Sequence, residues 1–309
     1  MFPLLEALRP RQWVKNLLLF AGLLFTFDVP HSVNDYLHAL LGFALFCLLS
    51  GCAYLVNDIR DVAADRLHPV KKNRPIASGR LSVSVATLFV VCAAPLTLLL
   101  GWRLLGTAFF ITMTAYLALT LSYSWGLKKI VIVDVMAVAT GFVLRAVAGA
   151  AALPVMASEW LLLCTFLLAL FIALMKRRAE IVALGQNAPT RSILAEYSQE
   201  FLEQLATLTA TTCLIAYLLY TVLSPTGRNH PYLIATSLFV LYGIFRYLYL
   251  TYRQGLGEAP EVVLRHDRPL QIAVILWVLA VIVALQFRNV PTGTPHTASR
   301  SYSCFRILT

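Results

Sequence analysis

Apolar residues in this chain are gathered into long blocks rather than alternated with polar ones. Nine blocks stand out, at roughly 14–28, 36–56, 82–101, 104–123, 131–152, 159–176, 205–223, 231–252 and 270–287. An uninterrupted apolar run of about 20 residues spans the hydrocarbon layer of a membrane as a helix. The pattern therefore predicts an all-α, polytopic membrane protein with nine spans. Two connections are long and polar (57–81 and 177–204), and a third, 253–269, is shorter and charged. No short internal repeat and no soluble domain is visible. Arg9, Arg11 and Lys15 precede the first block as in a signal peptide. No small-residue cleavage site follows before Phe27-Asp28, so the first helix is expected to be retained. The stretch from Arg288 to Thr309 is rich in Thr, Ser and Pro and is expected to be disordered, leaving residues 1–287 as one transmembrane unit.

Composition agrees. Of 309 residues, 59% are hydrophobic and 13% charged, against about 25% charged in soluble domains. The net charge of +10 is unevenly placed. One set of loops holds Arg9, Arg11 and Lys15, then Arg60, Arg66, Lys71, Lys72, Arg74 and Arg80, then Lys128 and Lys129. It continues with Lys176, Arg177, Arg178 and Arg191, and ends with Arg253, Arg265 and Arg268. The opposite loops between spans hold only Arg103 and Arg228. Basic residues accumulate on the cytoplasmic side, which predicts an inner-membrane protein with its N-terminus inside and its C-terminus outside. Because the basic residues alternate with spans, the charge calls for no nucleic-acid partner. Cys47, Cys52, Cys92, Cys164, Cys213 and Cys304 form no CxxC pair and read as small packing residues.

The chemistry begins after the second block, at Asn57-Asp58-x-x-Asp61-x-x-x-Asp65. If the helix continues past the membrane, Asn57, Asp61 and Asp65 recur every four residues and line one face, with Asp58 at its edge. Stacked carboxylates repel unless a cation lies between them, and a hard ion such as Mg²⁺ prefers oxygen ligands shared with phosphates. A merely solvated helix end is the competing explanation, but acids at a membrane edge are rarely incidental. The basic loop Arg66 to Arg80 follows directly and carries Lys71, Lys72, Arg74 and Arg80. A metal flanked by cations suits a diphosphate leaving group, whose developing charge both would share. The cytoplasmic bias alone would explain the basic residues but not their place beside four Asn/Asp ligands. Asp134 and Arg145 lie eleven residues apart, nearly three helical turns, and so share a face that must avoid lipid. An interior structural contact is a competing account of both. Met175-Lys176-Arg177-Arg178-Ala179-Glu180 reads equally as a phosphate site or as a helix C-terminus complementing its dipole. Arg9 to Asn16, with Trp13 among cations, reads by itself as an interfacial anchor, and Arg246 as a snorkelling side chain.

Span count, orientation and the full Asn57/Asp58/Asp61/Asp65 motif together resemble the UbiA superfamily of intramembrane prenyltransferases. The resemblance implies a nine-helix bundle with a central cavity opening to cytoplasmic loops, and a first Asp-rich motif that binds Mg²⁺ and a diphosphate. Most members carry a second Asp-rich motif after the sixth helix. Here Lys176 to Glu180 occupies that place, which is similar to the branch that makes decaprenylphosphoryl phosphoribose. Arg9 to Asn16, Arg66 to Pro75, Phe142 to Ala150 and Glu261 to Leu270 also resemble that branch, and the resemblance covers about residues 5–287. It implies 5-phosphoribosyl transfer from phosphoribosyl diphosphate to a polyprenyl (decaprenyl) phosphate for a cell-envelope precursor. Mg²⁺ would sit on Asn57, Asp58 and Asp61 with Asp65, and Lys71, Lys72 and Arg74 would neutralise the diphosphate. Lys176, Arg178, Arg11 and Lys15 would suit the lipid phosphate or the sugar phosphate. Asp134 would bond ribose hydroxyls or stabilise the cation. Asn16, Arg66, Tyr123, Lys128, Arg145 and Glu180 complete the implied substrate contacts. An aromatic prenyltransferase of quinone or haem synthesis would want the missing second motif. A transporter would often show a repeat or interrupted helices at midplane. A homo-oligomer of such bundles is compatible with the sequence.

Overall fold

The structure is a computed structural model and describes residues 3–27, 29–67, 70–153, 155, 157–184, 192–253, 263–264 and 266–287. Arg191, Arg265, part of the Glu261–Leu270 segment and the tail from 288 lie outside the described residues.

Eight helices carry the fold: α1 Val33–Arg60, α2 Val83–Leu105, α3 Thr107–Trp125, α4 Val133–Ala152, α5 Glu159–Leu184, α6 Gln199–Leu223, α7 Ser237–Arg253 and α8 Arg268–Gln286. With a 3-10 lead-in at Pro231–Thr236 counted into α7, each is long and apolar enough to cross a membrane. Several start where an oxygen-bearing side chain accepts an orphan backbone N–H. Ser32 and Asp35 form a reciprocal capping box on α1. Ser82, Ser198 and Asp267 each accept one backbone N–H at the start of α2, α6 and α8.

The first expected span, 14–28, is not a single α-helix. Pro10–Phe20 wind as a 3-10 helix and only Ala21–Phe25 return to α. A 3-10 helix rises about 2.0 Å per residue, so these sixteen residues still cover about 30 Å. Hydropathy registers apolarity and length, not winding, which is why the pattern could not separate the two. This leading segment runs tightly against α4: a Cβ on Gly149 would lie 2.0 Å from the Leu19 carbonyl oxygen, so only glycine allows the approach. Helix α5 also runs further than its apolar block, to Leu184. Lys176, Arg177 and Arg178 are therefore inside the helix, and the reading of them as a C-terminal dipole complement is corrected.

Buried residues sort into two main clusters. One joins the leading segment with α1 to α4 through Leu19, Phe46, Leu49, Phe109, Met113 and Ala148. The other joins α4 to α8 through Phe171, Met175, Leu202, Tyr247 and Leu270. A cavity of about 1000 Å³ lies between them, lined by Tyr54 and Tyr116 from the first side and Phe171 and Tyr247 from the second.

Candidate active site

The cavity is predominantly apolar, with polar groups at one end. Gln12, Lys15, Tyr54, Tyr123, Lys176 and Arg177 line that end, whereas Phe25, Leu161, Tyr217 and Trp277 line the other. Along α5 alone the lining runs from Lys176 to Leu161, which is about 22 Å of helix rise. Tyr54 stands one turn before Asp58, so the polar end of the cavity leads to the acidic motif.

That motif keeps the expected spacing although α1 formally ends at Arg60. The Asp61 amide donates to the Asn57 carbonyl at 2.9 Å and the Asp65 amide to the Asp61 carbonyl at 2.8 Å. Helical i, i+4 geometry thus persists across the junction with the short helix Val62–Leu67. Asp58 and Asp65 are buried, at 2% and 3% exposure. Each acid already holds a cation. Arg74 donates Nη1 to Asp58 at 2.9 Å and to Asp65 at 2.6 Å. Arg9 donates to the same oxygen of Asp58, and Lys128 Nζ sits 3.2 Å from Asp61. Asn57 accepts from Ser124 Oγ at 3.2 Å, and Arg60 pins the same turn by donating to the Ser124 carbonyl.

Four oxygen donors at this spacing are chemically right for a hard divalent ion. In the present arrangement the carboxylates face guanidinium and ammonium groups instead. Among the described residues no three acidic, His or Cys side chains stand close enough to hold a metal. The residues fit the ion by type, and their cationic partners must give way to admit it.

In the sequence Arg9 belongs to a basic anchor and to the Arg9–Asn16 segment, with nothing that pairs it with the acidic motif. Its backbone is left-handed, with φ 54°, a conformation costing a non-glycine residue on the order of 1 kcal/mol. The side chain lies over Tyr54, 5.1 Å from the ring centroid. Its position is fixed by packing: Ala7 and Leu8 are buried with Leu55, Ile76, Leu81 and Ala86. Glu6 and Arg80 form a bidentate pair at 2.7 and 2.9 Å. The Arg80 hydrogen bond holds the Glu6 carboxyl below the usual carboxylate range. Lys71 and Lys72 stand on the 3-10 turn Lys71–Asn73 next to Arg74. Arg66 turns to the Ala77 carbonyl at 3.3 Å and so shapes the loop.

The second cluster differs most from expectation. Asp134 has no exposed surface and does not line the cavity. It accepts from Arg177 Nε at 2.7 Å and from the Tyr197 hydroxyl at 2.7 Å. Arg177 also donates to Glu180 at 3.0 Å and to the Tyr123 hydroxyl at 3.2 Å, and it is Arg177 that reaches the cavity. Asp134, expected to bond ribose hydroxyls or stabilise the cation, here holds Arg177, the middle cation of the Lys176–Arg178 run. The Tyr197 hydroxyl accepts in turn from the Ile132 amide at 2.7 Å. Burial, reinforced by the Asp134 bond, pushes the Tyr197 phenol up. Ile132 has φ 67°, a strained value for a β-branched residue.

Other expected residues go elsewhere. Arg178 turns away to Glu203 at 2.6 Å and stacks over Tyr252 at 4.0 Å; one helical position rotates it off the cavity face. Glu180 belongs to Arg177. Arg11 is exposed and outside the cavity lining. Arg145 lines the cavity but does not pair with Asp134: it donates to Asn16, the Gly141 carbonyl and the Tyr116 hydroxyl at 2.7 to 2.8 Å. Asn16 completes this buried hub by donating to Ser50 and Cys47, at 3.2 Å each. Arg246 does not snorkel; it pairs bidentately with Asp267 at 2.8 and 3.1 Å. The Arg246 bond holds the Asp267 carboxyl below its ordinary value.

Comparison with known proteins agrees with this architecture. The chain is 33% identical over 302 residues to a decaprenyl-phosphate phosphoribosyltransferase of Mycolicibacterium smegmatis, covering 92% of both chains. It is 36% identical over 290 residues to the protein of the same name from Corynebacterium glutamicum, covering 91% of this chain and 86% of that one. Among solved structures it superposes on a UbiA homologue from Archaeoglobus fulgidus bound to GPP and Mg²⁺. The TM-score is 0.69 at 19% identity, with 92% of this chain and all of that one covered. The protein is a multi-pass membrane transferase. Residues 17–266 match the UbiA prenyltransferase family, and the chain belongs to that family.

Proposed function

We propose that this enzyme transfers 5-phosphoribosyl from phosphoribosyl diphosphate to a polyprenyl phosphate, releasing diphosphate. The observation that carries the reading is a split site. Four Asn/Asp oxygen donors interleaved with Arg9, Arg74 and Lys128 stand beside a second, cationic rim of Lys15, Lys176 and Arg177 on an apolar cavity. An aromatic prenyltransferase needs to hold one diphosphate. A donor diphosphate plus an acceptor phosphate needs two anion sites of different kind. The shared name of relatives that match along most of their length supports the same choice.

Asn57, Asp58, Asp61 and Asp65 would hold Mg²⁺, which when bound supplies Lewis-acid stabilisation to the departing diphosphate. Arg74, Lys71 and Lys72 neutralise the same group, and Lys128, on the 3-10 turn Leu127–Lys129 after α3, contributes from beside Asp61. The C1–oxygen bond to diphosphate breaks with oxocarbenium character at C1. A phosphate oxygen of the lipid then forms the new C1–oxygen bond. That oxygen is already anionic, so no strong general base is needed. Lys176, Arg177 and Lys15 orient the lipid phosphate, while the apolar cavity takes the first part of its chain. The leading segment counts as a ninth crossing, with residues up to 287 as the catalytic unit. The acidic end faces the cytoplasm of a bacterial inner membrane, where the water-soluble donor is made, and the product serves the cell envelope.

The test is organic-extractable label from radiolabelled phosphoribosyl diphosphate, incubated with detergent-solubilised protein, polyprenyl phosphate and Mg²⁺. Label is expected in the lipid phase and is lost with EDTA and in Asp61→Asn. A folded protein that yields no label would sink the ribosyl assignment.

A further inference from the structure

Among the described residues the three acids of the motif are matched by three cations. Asp58, Asp61 and Asp65 are each in contact with a cation, and Arg9, Arg74 and Lys128 balance their charges one for one. A divalent ion arriving alone would meet no net negative charge and three cations within contact range. A divalent ion arriving with a diphosphate meets a different situation, because the displaced cations gain phosphoryl oxygens as new partners. We infer that Arg9 is the resident counter-ion of Asp58 and changes partner to the diphosphate, so that metal and diphosphate bind together and metal alone binds poorly. This rests on the diphosphate reading above.

Three observations single out Arg9. Of the two guanidiniums on one oxygen of Asp58, Arg74 is shared with Asp65, so Arg9 is the one that bonds Asp58 and no other acid of the motif. Its positive φ is held by neighbours rather than by its own preference, with the Gln12 amide bonded to the Arg9 carbonyl at 2.9 Å and Leu8 packed beneath. A residue kept in a costly conformation at a site is a sign that its side chain is being aimed. Finally, the Glu6–Arg80 pair, with Arg80 also donating to the Asn73 carbonyl at 2.7 Å, ties the segment carrying Arg9 to the loop carrying Arg74. The two guanidiniums are thus positioned by one clasp.

Mn²⁺ serves as the probe, with protein-retained metal read by equilibrium dialysis of the purified full chain, with and without inorganic pyrophosphate on both sides of the membrane. Wild-type protein is expected to bind Mn²⁺ weakly alone and at least about tenfold more tightly with pyrophosphate, the mutual gain that linkage requires. In Arg9→Gln the metal alone binds about tenfold tighter, the scale of one removed cation in a partly exposed site. The gain from pyrophosphate shrinks correspondingly. Arg9→Gly accepts the positive φ, so it keeps the fold while removing the charge, and should behave as Arg9→Gln does; Arg9→Lys should remain near wild type. A pyrophosphate gain that persists unchanged in both uncharged variants overturns the role of Arg9 alone. Absence of any gain in the wild type overturns the diphosphate reading itself.

Discussion

Asp134 offers the sharpest test of how the site is built. Its carboxylate is fully buried and Arg177 is 4% exposed, with 2.7 Å between them. Removing one partner of a buried pair leaves the other uncompensated and costs about 3–5 kcal/mol. Glu180 still holds Arg177 at 3.0 Å, which places Asp134→Ala at the lower end, near 3 kcal/mol by the same rule. For a chain of this length that corresponds to an apparent melting drop of about 6 °C, measured by thermal unfolding in detergent. Replacing both partners by apolar groups of similar volume is close to neutral, so Asp134→Leu with Arg177→Met should recover about half of the loss or more. An Asp134→Ala protein melting within about 2 °C of wild type would refute the reasoning. So would a double variant as unstable as the sum of its parts. If Asp134 instead touched the sugar directly, turnover would collapse without the melting shift.

Three further outcomes follow from the geometry. Asn16→Leu leaves the Arg145 Nε–H without its acceptor inside the bundle, so an apparent melting drop of about 2–6 °C is expected from a loss of about 1–3 kcal/mol. Ile132→Gly relieves a positive φ at a 42% exposed side chain; it should stabilise by about 1 kcal/mol, and a lowered melting point would show that φ is not strained. The Asp267 carboxyl is depressed from 3.8 by Arg246. Its contribution is therefore full above that value and lost as pH falls through the lower folded-state pKa. Amide exchange at the start of α8 should accelerate only in that acidic window, and Asp267→Asn should abolish the dependence.

The sequence by itself determined what depends on local chemistry. The edges of α1 to α8 lie within a few residues of the apolar blocks, apart from the polar extensions of α5 and α6 and the start of α7. A run of apolar side chains has one stable arrangement in a bilayer, the helix that satisfies its own backbone. The spacing of the acidic motif was equally legible, since Asn57, Asp61 and Asp65 are positioned by one helical path. Which cation meets which acid was not. Arg9 and Asp58 are 49 residues apart, Arg177 and Asp134 are 43, and Tyr197 and Asp134 are 63. Three adjacent basic residues, Lys176, Arg177 and Arg178, look alike in sequence, yet helical rotation sends Arg178 toward Glu203 and leaves Arg177 on the cavity. The 3-10 winding of Pro10–Phe20 belongs with these, because it goes with contact to α4 at Gly149 and with the Asn16 hub. Side-chain partnership across the bundle is decided by how helices pack, and packing joins residues that no local pattern relates.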